Sequence, residues 1–295
     1  MSFSEDVKIE LSGVYVSGCC RLAECFAFLG FSRTFSEEEI CFKTMSDSSA
    51  ERLRKLLKTE FHTYSVKTES GEKRKTYKVT VGGNLDRKKI FSALKRSNTG
   101  KILKKECCKS AFLRGLFLAY GTVSDPEKSY NLEFNFKDRI LAELAVDLIS
   151  NYGFTPKIYQ KGEYNTVCIK DSTAIEDLLA RIGCSQGSLQ IIGAKIYKNM
   201  RESVNRKTNC ETANSKKTVD ASIRQRMAIE YLDNTKRLDT LPEELLKVAL
   251  LRYNNPDASL NELCKLCDEP ITRSGINHRL ERIIKYAENL KEKSM

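Results

Sequence analysis

The sequence predicts an α+β protein: a duplicated αββαββα domain with pseudo-twofold symmetry, followed by an all-α helix-turn-helix domain. Three observations carry this. The doublet Cys19-Cys20-Arg21 recurs about 90 residues later as Cys107-Cys108-Lys109. Each doublet opens an apolar, helix-like run that ends in glycine. The last 60 or so of the 295 residues hold three short helical patterns with clear start and stop signals.

The two halves repeat element by element. In the first, LAECFAFLG (22–30) is the apolar helix. FSRTF and EEICFKTM (31–35, 38–45) read as a hairpin, and SSAERLRKLLKTEF (48–61) as a helix. Residues 62–81 alternate around a polar turn at Glu69–Lys73 and read as a second hairpin; LDRKKIFSALKRS (85–97) closes the half. In the second, AFLRGLFLAYG (111–121) is followed by TVSD and YNLEFNFKD (122–125, 130–138), then RILAELAVDLISNYG (139–153). TPKIYQK and NTVCIKD (155–161, 165–171) and the helix STAIEDLLARIG (172–183) complete it. Phe-Lys recurs in the matching strand of each half. Duplication within one domain implies like helices packed across a pseudo-twofold axis. Ala23, Ala27 and Gly30, with Ala111, Gly115, Ala119 and Gly121, permit close backbone approach there. The terminal glycines suit C-caps. Two four-stranded antiparallel sheets would then form a saddle.

Charge narrows the partner. Lys and Arg number 50 against 39 Asp and Glu, a net +11. Residues 43–105 hold 18 basic against 6 acidic side chains, whereas residues 201–295 hold 18 against 15. Lys67, Lys73, Arg74, Lys75 and Lys78 coat the 62–81 hairpin and are the candidate phosphate contacts. A solvated edge hairpin is the plainer reading. No apolar run reaches the roughly 18 residues of a membrane span, and the N-terminus lacks the apolar core of a secretory signal. Eleven cysteines in a chain of this size indicate a reducing cytoplasm. The adjacent doublets offer awkward geometry for joint ligation, so each is expected to tuck one thiol inward. Cys264-x-x-Cys267 with His278 lacks a fourth ligand. No metal or cofactor is expected.

Residues 1–200 are assigned to the duplicated domain, 201–218 to a polar linker without apolar periodicity, and 219–295 to the helical domain. Val219, Ile223 and Met227, with Ile229–Leu232, are expected on one side of a helix. Pro242 and the acids after it start a helix that stops before Pro256. Ser259 and Glu262 form a capping box opening a second helix, and Thr272 caps a third running to about Leu290. On the third, Ile276, Leu280, Ile283 and Ala287 make one buried stripe. Off it lie Arg273, Ser274, Asn277, His278, Arg279 and Arg282, the candidate DNA-binding residues. A recognition helix meets base edges with its N-terminal end, and Arg and Asn suit bidentate pairing with guanine and adenine.

LAECFAFLG and LRGLFLAYG resemble the two motif helices of LAGLIDADG homing endonucleases. CCRLAE, CCKSAFLRGLFLAYGTVSDPEKSYNLE, NCETANSKKTVDASIRQ and NPDASLNELCKL…SGINHRLERI together resemble the WhiA family over nearly the whole chain. The resemblance implies a LAGLIDADG-like saddle joined to a helix-turn-helix. It also implies a DNA-binding transcription regulator involved in cell division and chromosome segregation. Active LAGLIDADG enzymes place an acid just before the final glycine of each motif helix, where a pair of carboxylates holds divalent metal. Those positions here are Leu29 and Tyr120, and the earlier acid of the motif is replaced by Ala27 and Leu118. Glu24 and Asp125 lie elsewhere. The expectation is therefore a non-enzyme: a monomeric, cytoplasmic, nucleoid-associated partner of double-stranded DNA. The alternative is a cell-division adaptor working through protein contacts of the saddle.

Overall fold

The structure, a computed structural model, describes residues 2–32, 34–63, 65–70 and 76–293. It divides into two compact units, residues 1–199 and 200–295.

The first unit opens with α1 (Phe3–Ser12), a helix that the sequence pattern does not announce, capped by the Ser2 hydroxyl. The first repeat follows as α2 (Gly18–Leu29), β1 (Cys41–Thr44), α3 (Asp47–Phe61), β2 (Val66–Ser70), β3 (Tyr77–Val81) and α4 (Asn84–Leu94). A short α5 (Thr99–Ile102) leads to the second: α6 (Glu106–Tyr120), β4 (Gly121–Val123), β5 (Leu132–Phe136), α7 (Arg139–Ser150), β6 (Lys157–Lys161), β7 (Tyr164–Ile169) and α8 (Ser172–Ile182). Side-chain caps set the helix starts: Ser46 accepts from the Ser49 N–H, Asp138 from Leu141 and Asp171 from Ala174. The Glu10 carboxylate accepts from the Gln186 and Gly187 N–H groups at 2.8 and 3.0 Å, capping the start of α9 (Ser185–Asn234).

Both sheets are antiparallel. Their orders, β1-β3-β2 and β4-β5-β7-β6, show the repeat, but the first has three strands among the described residues, not four. Of residues 31–35, expected as a strand, the described ones contribute a single bridge, Phe35 with Ile40. The hydroxyls of Ser32 and Thr34 both donate to the Cys41 carbonyl, taking the acceptor that a neighbouring backbone would use.

The two motif helices cross as expected. A Cβ on Gly115 would lie 2.7 Å from the Ala27 Cβ and 2.9 Å from the Glu24 carbonyl, so glycine is required where α6 meets α2. Gly30 and Gly121 occupy C-cap positions, yet neither is left-handed. What they supply is room: a Cβ there would come within 2.3 Å of the Phe26 ring and 2.6 Å of Phe117. Phe26, Phe28, Phe112, Phe117, Phe134 and Phe136 are fully buried around the crossing.

In the second unit the end of α9 packs with α10 (Glu243–Asn254), α11 (Leu260–Leu266) and α12 (Arg273–Lys293). The Ser259–Glu262 capping box is present, and the Thr272 hydroxyl accepts from the Gly275 N–H at 3.1 Å. Ile276, Leu280, Ile283 and Ala287 are buried as the stripe predicts. Two expectations change. Residues 201–218 lie inside α9 and are exposed on every side. No glycine or proline stands between Gly193 and Pro242 to end the helix. The buried face after Val219 is Gln225, Ala228, Ile229 and Leu232, while Val219, Ile223 and Met227 are exposed. Positions 225, 229 and 232 form their own helical row, on the other side from 219, 223 and 227. Among the described residues, no helix is long and apolar enough to cross a membrane.

Gly115→Val should overpack the α2–α6 crossing and lower stability by about 1–3 kcal/mol, read as a fall in the urea midpoint by circular dichroism.

Candidate nucleic-acid interface

At the C-terminal ends of the motif helices, carboxylates are replaced by packing. Leu29 is buried. The Tyr120 ring lies between Phe42 and Phe136, the matching phenylalanines of the two repeats, at centroid distances of 6.5 and 5.4 Å. Its hydroxyl donates to the Phe28 carbonyl at 3.3 Å, and burial, with Asp138 nearby, pushes its pKa well above the usual phenol value. A neutral phenol and an aliphatic side chain cannot hold a hard divalent cation as two carboxylates do. The residues do not fit the nuclease metal.

The two acids considered elsewhere have other partners. Glu24 is fully buried and takes two hydrogen bonds from Arg52, at 2.7 and 3.0 Å, and one from Arg114 at 3.1 Å. Arg52 also donates to the Ser12 carbonyl and Arg114 to that of Ile182. Asp125 accepts from the Glu127 N–H in a turn and pairs with Lys128 at 3.8 Å. Glu24 therefore belongs to a structural ion triad.

The opposite ends of the same helices hold the cysteine doublets. Cys20 and Cys108 are buried while Cys19 and Cys107 are exposed, so each doublet does tuck one thiol inward. The four sulfurs nevertheless lie within 4.8 Å of one another, which overturns the expectation of awkward geometry. Adjacent positions diverge on one helix, but the crossing aims both doublets at one point. Among the described residues, Cys264, Cys267 and His278 form no such group.

The sheets present basic outer faces. Phe42, Val79, Val81 and Val66 face the core, which turns Lys43, Lys78 and Lys67 outward. Lys78 stands between Lys43 and Glu69 in the register of the sheet, so its like-charge pairing with Lys43 is offset by an acid on its other side. Lys73, Arg74 and Lys75 lie outside the described residues. The second sheet adds Lys157, Tyr159 and Lys161, exposed on its edge strand β6. Sequence reasoning missed these, although their period-two spacing is visible in the chain.

On α12, Arg273, Ser274, Asn277 and His278 are exposed, and their side chains make no hydrogen bond or ion pair among the described residues. Arg279 and Arg282 differ: both pair with Glu244 in the first turn of α10, at 3.8 and 2.8 Å. Sequence reasoning missed Glu244, which lies 35 residues before Arg279. A cleft beside the start of α12 is lined by Lys217, Ser222, Arg252, Asn261 and Arg273, with no acidic residue in its lining. Arg252 Nε and Gln225 Oε1 are buried there without a partner.

Fold and surfaces together define a two-part protein: a LAGLIDADG-type domain without its paired motif acids, and a helix-turn-helix domain. Residues 109–201 match the family model of the WhiA LAGLIDADG-like domain, and residues 204–287 that of the WhiA C-terminal HTH domain. The chain belongs to the WhiA family. It is 36% identical over 313 residues to the "Probable cell division protein WhiA" of Caldicellulosiruptor saccharolyticus, covering 99% of this chain and 96% of that one. It is 39% identical over 316 residues to the protein of that name in Alkaliphilus oremlandii, covering 99% and 98%. Among solved structures, full-length DUF199/WhiA from Thermatoga maritima matches with a TM-score of 0.63 at 27% identity, over 98% of this chain and 99% of that one.

Glu24→Gln should cost about 3–5 kcal/mol, because it leaves two buried guanidiniums facing a neutral amide. Urea denaturation checks this; a drop below about 1 kcal/mol would show that the triad is not coupled as drawn.

Proposed function

We propose that the chain is a DNA-binding regulator that grips duplex DNA without cutting it. It acts in transcription control, cell division and chromosome segregation as a nucleoid-associated cytoplasmic monomer. The observation that carries this reading is the exposed start of α12. Arg273 and Asn277, one turn apart, stand unpaired beside Ser274 and His278, while the opposite side of the helix is locked into the core. That suits a helix entering a major groove N-terminal end first. Arg273 and Asn277 read base edges, and Ser274 and His278 add polar contacts. The cleft lined by Lys217, Ser222 and Asn261 takes a backbone phosphate, with the exposed Lys217 as its cation. Arg279 and Arg282 remain candidate contacts whose use requires release from Glu244. That release is cheap, since an exposed ion pair is worth about 0–1 kcal/mol.

The saddle supplies sequence-independent affinity. Lys67 and Lys78 on one sheet, and Lys157 and Lys161 on the other, follow phosphates, and Lys73, Arg74 and Lys75 are further candidates from the sequence. Phosphate contacts position a protein and base contacts specify. The aromatic packing at Tyr120 and the triad at Glu24 support the absence of nuclease chemistry.

After bound sites are mapped across the genome, Arg273→Ala or Asn277→Ala should weaken binding to a mapped site by about 1–3 kcal/mol for each base edge left unread, with random duplex little changed. Equal weakening on both duplexes would reassign these residues to phosphate contact. Replacing Lys67, Lys78, Lys157 and Lys161 with alanine should reduce the slope of log affinity against log salt by roughly one for each phosphate the saddle no longer touches. An unchanged slope would favour the adaptor reading for the saddle. Supercoiled plasmid should stay intact with Mg²⁺ or Mn²⁺; cleavage that vanishes in Asp125→Asn would return the protein to the nucleases.

A further inference from the structure

The four cysteines at the N-terminal ends of the motif helices have no part in the function proposed above. Cys19 and Cys20 are the second and third residues of α2, and Cys107 and Cys108 hold the same two positions in α6. Their sulfurs all lie within 4.8 Å of one another. Burial of small apolar side chains explains Cys20 and Cys108, at 7% and 2% exposure, but not Cys19 and Cys107, which are exposed. Such a pair of surface thiols would be a liability without a ligand.

We propose that these four cysteines form a tetrathiolate site for a soft divalent cation, zinc above all, which pins the two halves of the saddle together at the pseudo-twofold axis. A tetrahedral zinc with Zn–S bonds of about 2.3 Å holds its sulfurs about 3.8 Å apart. The observed spacing reaches that by small side-chain rotations. Zinc takes four thiolates readily, whereas magnesium and calcium require oxygen. The surroundings favour the excess negative charge of such a centre. Both helices point their positive ends at it. Neither has a side-chain cap, so first-turn N–H groups can face sulfur. Lys104 and Lys105 lead directly into α6, while Arg21 and Lys109, which follow the doublets, pair with Glu60 and Glu106. Binding releases the four thiol protons to solvent and involves no change of oxidation state.

The test uses the full chain, purified under reducing conditions, with metal measured by mass spectrometry and the chelator-stripped protein titrated with Co²⁺. The expected result is about one zinc per chain. Co²⁺ should give intense visible bands of tetrahedral thiolate coordination that zinc then bleaches. Zinc should also raise the thermal midpoint of the stripped protein. Because Cys19 and Cys107 are exposed, the double variant C19S/C107S should fold with an unchanged far-ultraviolet spectrum and lose both the zinc and the cobalt bands. Folded, reduced protein that holds no zinc and gives no cobalt bands would overturn the proposal. So would cobalt bands that persist in C19S/C107S, since they would place the metal on other cysteines. A disulfide among the four, trapped by alkylation at lysis, would replace the metal site with a redox pair.

Discussion

The close crossing of α2 and α6 is the constraint on which the first unit depends. With Gly115 against Ala27 and the Glu24 backbone, no side chain separates the two helices at their closest point. That approach carries the Glu24 carboxylate into a dry interior, where an unpaired charge would be prohibitive. Arg52 and Arg114 supply the compensation. Because they also bond the Ser12 and Ile182 carbonyls, the triad ties the ends of α1 and α8 to the crossing. One contact between small residues thus organises five helices through a polar knot. Such a knot contributes position more than net stability, since well-packed apolar residues could match it in energy.

The same crossing arranges the two ends of the axis in opposite ways. At the glycine end Tyr120 packs between Phe42 and Phe136, and neither motif position, Leu29 or Tyr120, carries a carboxylate to collect a hard cation. At the cysteine end the helices bring four thiols together beside two positive helix termini. Pseudo-twofold symmetry explains both: positions at the axis in one half meet their counterparts in the other. A residue type that recurs in both repeats, Cys-Cys or Phe-Lys, is therefore doubled in space.

This symmetry also decides what the sequence could reveal. The order of elements was legible because each helix and strand repeated with its own periodicity, and the caps at Ser259 and Thr272 were visible as local chemistry. The meeting of the doublets was not legible, because local geometry on one helix says nothing of a partner 88 residues away. Glu244 escaped for the same reason. The Arg279 and Arg282 pairing is set by how α10 lies against α12, which no i,i+4 pattern encodes. The degraded first strand failed differently. FSRTF has strand composition, yet the Ser32 and Thr34 hydroxyls compete for the acceptor that would extend the ladder. Residues 201–218 show the limit of amphipathicity as a signal. A helix exposed on all sides has no apolar stripe to read, and only the lack of glycine and proline marks it.

The distribution of charge gives the two units distinct roles in any contact with duplex DNA. Residues 43–105 carry a net +12, whereas residues 201–295 carry only +3, and beside α12 Arg279 and Arg282 lie against Glu244. On the function proposed above, non-specific affinity scales with phosphates neutralised, and residues 43–105 offer the larger share of positive charge. A reading helix gains from the reverse condition. Were it as basic as the saddle, phosphate attraction would dominate every encounter and dilute the difference between right and wrong bases. Holding Arg279 and Arg282 against an acid while leaving Arg273 and Asn277 bare keeps the general pull low and the directional hydrogen bonds available.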